Sequence, residues 1–512
     1  MSKKVIAWDL GTGGNKASLY DEAGNCLAAT FKPYPTNYPK HGWHEQKPED
    51  WWEAIVETTS QLIRESKVNP DDIAVCGISG HSLGAVPIDK NGNLLLESTP
   101  IWSDGRATEQ AKEFFSRYDE EKWYNITGNG FTPALYTVFK MMWYRDNCPE
   151  IFEKTEKVIG TKDYINYKLT GRVVTDYSYA SGYGVFDLKN MRYDEDLIDA
   201  SKLSKSLFPE IVPSTEVIGT ISKQAASHIG LREGTKVVAG GVDNSCMALG
   251  AMAYKENRAY MNLGSCFWIA ISSENPILSS DSRPYVFAHV LPGMYASALC
   301  ISSGGTSYRW VRDELCKDLK LLEEQTGRDA YELMGEEAAT VKPGANKVIF
   351  NPSLGGGMPY DKSVNIRGAY MGLDLGTSRA SIIRASMEGM GFAMRLCLDY
   401  LNKLGANPEG LLLAGGGSKS PLLCQIFADC FKLPTYKSIV DEQAAALGAA
   451  AVAAVGAGIW KDFDIIDTLH KREGHFMPEK ESTEVYEKLY SVFLEGCDDQ
   501  SDIGDMLNSL TI

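Results

Sequence analysis

The sequence predicts a two-domain α/β protein, and three observations carry that reading. At 512 residues the chain is too long for a single core, so two sizeable domains are the natural expectation. Near its start, Val5 to Trp8 is an apolar run of strand length interrupted by Asp9. A turn rich in Gly and Thr follows (Gly11, Thr12, Gly13, Gly14), then a second short strand, Lys16 to Tyr20. The second half repeats this grammar: Tyr260 to Leu263 reads as a strand, Gly264-Ser265 as a tight turn and Cys266 to Ser272 as a strand again.

An acid at the end of a buried strand, facing a loop of exposed backbone N–H groups, suits a phosphate and its magnesium. From this stretch alone, a Gly-rich hairpin at a sheet edge is the other reading. Neither GxxxxGK[ST] nor a GxGxxG opening a helix is present. Pro48 precedes a helical pattern (Trp51, Trp52, Ile55, Val56, Leu62, Ile63) with acids in its first turn. Ile73 to Ile78 is a strand, and Ser79 to Gly84 is the loop leaving its end, where α/β sheets bind ligands. A turn at Asp89 to Gly92, the stretch IWSDGR and helical segments interrupted near Asn125 to Pro133 come next. Tyr164 to Leu188, dense in Tyr, Ser and Gly, reads as a loop-rich insertion.

Thr235 to Asn244 returns to strand, Gly-Gly and acid, and the domain boundary is expected just after it. The expected domains are 1–247 and 248–465, with a helical tail at 466–512. Beyond the second hairpin come a helix from Gly304-Gly305, a helix over Arg379 to Leu401, a strand at Gly410 to Leu413, the loop AGGGSKS and a helix from Pro421. Ala444 to Ala457 reads as a close-packed helix of small residues. The two hairpin loops, one per half, could grip one polyphosphate from two sides.

The formal charge of -16 and pI near 5.1 argue against nucleic acid and anionic membrane as partners. Eleven cysteines without a CxxC pair fit reduced thiols. The start MSKKVIAW lacks the apolar core of a signal peptide, and the longest uncharged run, Gln443 to Trp460, is mostly Ala and Gly. A cytoplasmic protein is expected.

Twelve stretches, in order from Asp9 to about Gly458, resemble the FGGY family of carbohydrate kinases, with the first half most similar to its xylulose-kinase branch. They are DLGTGGNKA, GWHEQKPEDWWEA, GISGHSLG, WSDGR, KMMW, KDYINYKLTG, TDYSYASG, GGVDNS, LGSCFW, GAYMGLDLG, AGGGSKSPLLCQIFAD and DEQAAALGAA. The resemblance implies two ribonuclease-H-like domains of the actin/hexokinase ATPase type with a catalytic cleft between them. It further implies ATP and Mg2+ as cosubstrates and transfer of the γ-phosphoryl to a hydroxyl of a small sugar or polyol.

The family's catalytic acid falls on Asp243 in GGVDN, with Asn244 beside it as a sugar partner; a helix N-cap is the other reading of Asp243. Asp9 becomes the second catalytic carboxylate and the metal ligand, through water. Gly11, Thr12, Gly13 and Lys16 fall at the phosphates. Gly264 and Ser265 match a second phosphate loop that usually carries Gly-Thr, Gly305 matches a glycine near the phosphates, and Gly415 and Gly416 match the loop against the adenosine. Taken singly, each glycine is equally a turn residue. His81, Ser82, Leu83, Trp102 and Asp104 are the remaining sugar-binding candidates.

Several positions depart from the family pattern. Leu135, Tyr144 and Ser381 are off the two signatures, and GLDLGTS (Gly372 to Ser378) repeats DLGT without a following strand, so it is not taken as a phosphate loop. Xylulose kinases carry Gly-Gln-Met-His-Gly where this chain has Gly80-His81-Ser82-Leu83-Gly84, and glycerol kinases place Arg-Glu there. An acceptor differing from D-xylulose is therefore expected, with Ser82 as hydroxyl partner and Leu83 on carbon, unless His81 swings in. An actin-like ATP switch without acceptor, an inactive kinase-like protein and, far behind, a dinucleotide oxidoreductase are the competing readings. A homodimer stays open.

Overall fold

A computed structural model describes residues 3–438, 440, 443–470 and 472–510. Among these, two seven-stranded mixed sheets form the two halves. In the first, Lys4–Gly11, Gly14–Tyr20 and Cys26–Pro33 are successive antiparallel neighbours. On the other side of Lys4–Gly11 lie Ile73–Gly80 and then Lys236–Val238, both parallel, with Val217–Thr220 at the edge. The second sheet repeats this order. Ala259–Leu263, Phe267–Ser273 and Tyr295–Ile301 are antiparallel neighbours, and Leu411–Ala414 and Thr435–Ser438 follow in parallel on the other side.

The first strand explains its own position. Ile6, Trp8 and Leu10 enter one core with Trp51, Ile55 and Leu62 of the helix Pro48–Ser66. Val5 and Ala7 enter another with Val75, Val238, Ala450 and Val452. A strand buried on both faces has no polar alternation to show, which is why it reads as a continuous apolar run. The second layer is the helix Ala444–Gly456, contributed by the far half of the chain. Its small residues allow close approach: a Cβ on Gly448 would stand 1.9 Å from Cys246 O in the helix Asp243–Gly250. Of the DEQAAALGAA stretch, Asp441 and Glu442 lie outside the described residues.

Residues 466–512 supply the strand Arg472–Phe476, paired with Thr435–Ser438, and the helix Lys480–Asn508. Tyr486, Tyr490 and Phe493 of that helix pack against Phe392 in the second core. GLDLGTS is an exposed turn whose Ser378 caps the helix Arg379–Lys403.

One expectation fails. Tyr164 to Leu188 is a buried layer of short elements: the end of the helix Thr161–Thr170, the strand Val174–Asp176, the helix Tyr177–Ala180 and the strand Phe186–Asp187. Its polar groups pair both within the segment and with residues far from it in sequence. Tyr179 OH accepts the N–H groups of Thr161 at 3.0 Å and Gly84 at 3.3 Å, and Ser181 Oγ donates to Ser178 O. A composition typical of loops can thus pack as core when its buried hydroxyls find partners, as those of Tyr179 and Ser181 do. All eleven cysteines are free thiols, and among the described residues no helix is long and apolar enough to cross a membrane.

Candidate active site

Asp9 stands opposite Lys16 on one neighbouring strand and Ser79 on the other, and Ser79 pairs in turn with Gly241. That row across the sheet places Asp243, two residues further on, just past its end. The chain gets there through Gly240, whose φ is +73° and whose Cβ, if present, would lie 2.1 Å from Ile78 O. Only glycine suits that position.

Asp243 is the first residue of the helix Asp243–Gly250; the N-cap is Val242, so the capping alternative is not the one adopted. Asp243 Oδ1 accepts the Asn244 N–H at 2.8 Å. Burial pushes the Asp243 carboxyl up to about 7; the Asn244 N–H opposes the rise and the nearby Asp9 carboxylate adds to it. Burial also raises Asp9, against the pull of Lys16 and the neighbouring Ser79.

Two neighbouring carboxylates in one cleft concentrate negative charge and suit a divalent cation. Among the described residues no three His, Cys, Asp or Glu side chains converge. A magnesium ion held here would therefore draw its other ligands from water and phosphate, as that ion ordinarily does.

The first glycine turn is held from outside. Gly11 O accepts the Tyr34 hydroxyl, Thr12 O accepts Gln46 Nε2 at 2.8 Å, and Thr12 Oγ1 accepts Trp102 Nε1 at 2.9 Å. Trp102, a candidate for the sugar, thus touches the first glycine turn.

The second turn, Gly264-Ser265, is backed by the helix Gly304–Trp310: Thr306 N donates to Ser265 O at 3.0 Å, and a Cβ on Gly305 would stand 2.1 Å from Gly264 O. Gly415 lies against Asn262 and Leu263, so a third glycine loop meets the same strand end, while Gly416 is open. Gly13 is also open. These surfaces without side chains fit phosphate and nucleoside oxygens approaching backbone N–H groups.

The sugar candidates divide. Ser82 and Asn244 are buried beside the carboxylates' strands, with 7% and 9% of their surface exposed. His81 is buried with its ring edge-on to Trp51, and neither ring nitrogen has a protein partner. Burial, aided by the Lys140 charge, lowers it to about 3, so the ring is neutral.

Two candidates are engaged by the protein itself. Leu83 has a left-handed backbone (φ +58°) that turns its side chain into a core with Tyr179, Tyr183 and Phe287, which leaves almost no surface for a ligand carbon. Asp104 is fully buried, and its two oxygens accept four hydrogen bonds, from His44 N and from the Arg106 N, Nε and Nη2. It holds Arg106, which also pairs with Glu45, and has no lone pair to offer a sugar.

Lys140 is a residue the sequence reading did not place. It is fully buried in the helix Thr137–Asn147, and its Nζ donates to Leu83 O at 2.8 Å and Ile101 O at 2.7 Å. It fastens the loop after Gly80 to the loop that carries Trp102. The signal was a lysine inside the apolar run VFKMMW.

Comparison with known proteins gives a consistent picture. The model of the FGGY family of carbohydrate kinases, N-terminal domain, matches residues 4–250, and that of the C-terminal domain matches residues 259–457. The chain is 28% identical to the xylulose kinase of Lactococcus lactis, over 98% of both chains. It is 30% identical to the glycerol kinase of Thermococcus kodakarensis, over 97% of this chain and 96% of the other. The crystal structure of a ligand-bound xylulose kinase from Lactobacillus acidophilus superposes with a TM-score of 0.89 at 26% identity, covering 97% of this chain and 98% of that one.

Proposed function

The chain belongs to the FGGY family of carbohydrate kinases, and we propose that it transfers the γ-phosphoryl group of ATP to a hydroxyl of a small ketose or polyol, with Asp243 as the general base. The observation that carries this reading is the Asp243 carboxyl itself, beside Asp9 and pushed up to about 7. A base poised near the working pH is what removing a proton from an alcohol in the transition state calls for. Asp243 takes that proton as the sugar oxygen bonds to the γ-phosphorus, the bond to the bridging oxygen breaks, and ADP leaves.

The other residues take supporting roles in this reading. Asp9 would hold a magnesium ion, which would supply neutralisation of the phosphate charge. Lys16, the turn at Gly11, Thr12 and Gly13, and the group of Gly264, Ser265 and Gly305 face the phosphates, with Gly415 and Gly416 toward the adenosine. Ser82, Asn244 and Trp102 face the acceptor. The free thiols fit a reducing cytoplasm.

The xylulose and glycerol kinases among its relatives support a small ketose or polyol as the acceptor. The test is ADP release measured over pentuloses, hexuloses and short polyols. One of them is expected to raise turnover far above the sugar-free rate, and a protein that consumes ATP equally with and without every acceptor would overturn the assignment.

A further inference from the structure

The short run Ala239–Val242 delivers Asp243 to the cleft, and it does so largely outside the sheet ladder: Lys236–Val238 has ended, and only Gly241 and Val242 pair with Ser79 and Gly80. Main-chain bonds from Ala239 N to Glu216 O at 2.9 Å and from Gly240 N to Ser214 O at 3.0 Å hold its start, and side chains grip it as well. Ala239 O accepts Lys162 Nζ at 3.2 Å and Asn166 Nδ2 at 2.8 Å. Val242 N donates to Ser178 Oγ at 2.9 Å. The two grips are joined, because Ser178 Oγ donates to Asp176 Oδ2 while Asp176 Oδ1 pairs with Lys162 Nζ at 2.9 Å.

A closed ring therefore runs from Ala239 O through Lys162, Asp176 and Ser178 back to Val242 N, spanning the Gly240–Gly241 pair. Its members have further partners. Lys162 Nζ has a third partner, Asp163 Oδ1 at 2.6 Å, and Asp176 Oδ2 also accepts Ser178 N at 2.9 Å and Ser214 Oγ at 2.7 Å.

Lys162, Asp163 and Asp176 are all at most 1% exposed. Burying ions costs free energy that their mutual attraction repays only in part, so such a cluster is weak evidence for stability and points to specificity of position. What this one fixes is the turn ahead of the base. We propose that Lys162, Asp176 and Ser178 are positioning residues that hold the Ala239–Val242 turn and so aim the Asp243 carboxylate beside Asp9. The proposal rests on the assignment of Asp243 as the base.

Ser178→Ala is the sharpest test, since it opens the ring without removing a charge; Asp176→Asn is the second. Both are expected to fold, to keep KM for MgATP and for the best acceptor within about threefold, and to lose about 10- to 100-fold in kcat, the scale of a small misplacement of a reacting group. Ser178→Thr, which keeps the hydroxyl, should recover most of the loss. Because the effect acts through Asp243, adding Ser178→Ala to Asp243→Asn should slow the enzyme little further, whereas an unrelated structural role would multiply the losses.

Folded Ser178→Ala protein with wild-type kcat, or multiplicative losses in the double variant, would overturn the proposal. So would a Ser178→Ala chain that does not fold, which would assign the hydroxyl to stability. If Asp243→Asn alone keeps full turnover, it is the base assignment that fails.

Discussion

At the scale of the residue, the cleft asks for two states from two neighbouring carboxyls. Asp243 must be deprotonated to accept a proton, yet burial holds it near 7, so kcat/KM for the acceptor is expected to fall about tenfold per pH unit below that value. Asp243→Asn should lower turnover by about 10²- to 10⁴-fold while MgATP affinity, read by calorimetry, barely changes. The same shift has a stability consequence of defined sign. A folded-state pKa above the ordinary 3.8 means that the proton's stabilisation is lost as pH rises from about 4 through 7. The Asn variant should therefore melt higher than the wild type at pH 8 and close to it at pH 4, which thermal scans at both pH values would check. Ser82→Ala should raise the acceptor KM by about 5- to 30-fold, the loss of one buried hydroxyl partner, and leave the MgATP KM alone. Asp9 and Asp243 stand out as candidates in the sequence because Asp9 interrupts an apolar run ahead of glycines and Asp243 follows one through Gly240 and Gly241. The saturation of Asp104 is not legible there, since it depends on His44 N and the fork of Arg106 folding back on it.

At the scale of the element, function depends on backbones in contact. The helices Asp243–Gly250 and Ala444–Gly456 touch main chain to main chain, with Gly250 against Ala444 O and Gly448 against Cys246 O. Gly448→Ala forces these apart at about 1–3 kcal/mol, the usual range for overpacking, and should lower both Tm and kcat because Asp243 rides on the first helix. Gly305→Ala meets Gly264 O in the same way and should weaken MgATP by about tenfold, measured by calorimetry, with the acceptor KM preserved. Most elements could be read from the chain: Pro48, Gly304, Ser378 and Pro421 mark helix starts, and the two hairpins show themselves by apolar runs around glycine. The stretch Tyr164 to Leu188 could not, because turn-forming residues and buried hydroxyls satisfied at long range share one composition. The ring of Lys162, Asp176 and Ser178 was hidden for the same reason. Its partners at Ala239 and Val242 are more than sixty residues away, and no periodicity connects them.

At the scale of the whole molecule, the duplicated sheets set a mechanical problem. One glycine turn ends a strand of the first sheet and the other ends the corresponding strand of the second, so a triphosphate held by both ties the halves together. The halves already touch where Trp460 Nε1 donates to Glu22 O at 2.8 Å. Helix Ala444–Gly456 lies between strands of the second sheet in sequence yet packs on the first, which would suit it as a pivot. Motion about such a pivot would open and close the glycine turns while leaving the close-packed small residues undisturbed. Closure must exclude water, because an activated γ-phosphoryl group beside a base near 7 would otherwise hydrolyse. Two outcomes are expected together. Small-angle scattering should show a smaller radius of gyration with saturating acceptor and a nonhydrolysable nucleotide than with either alone, and ATP hydrolysis without acceptor should be at least about 10²-fold slower than phosphoryl transfer. A radius unchanged by both ligands, alongside full turnover, would show that the cleft works without closing.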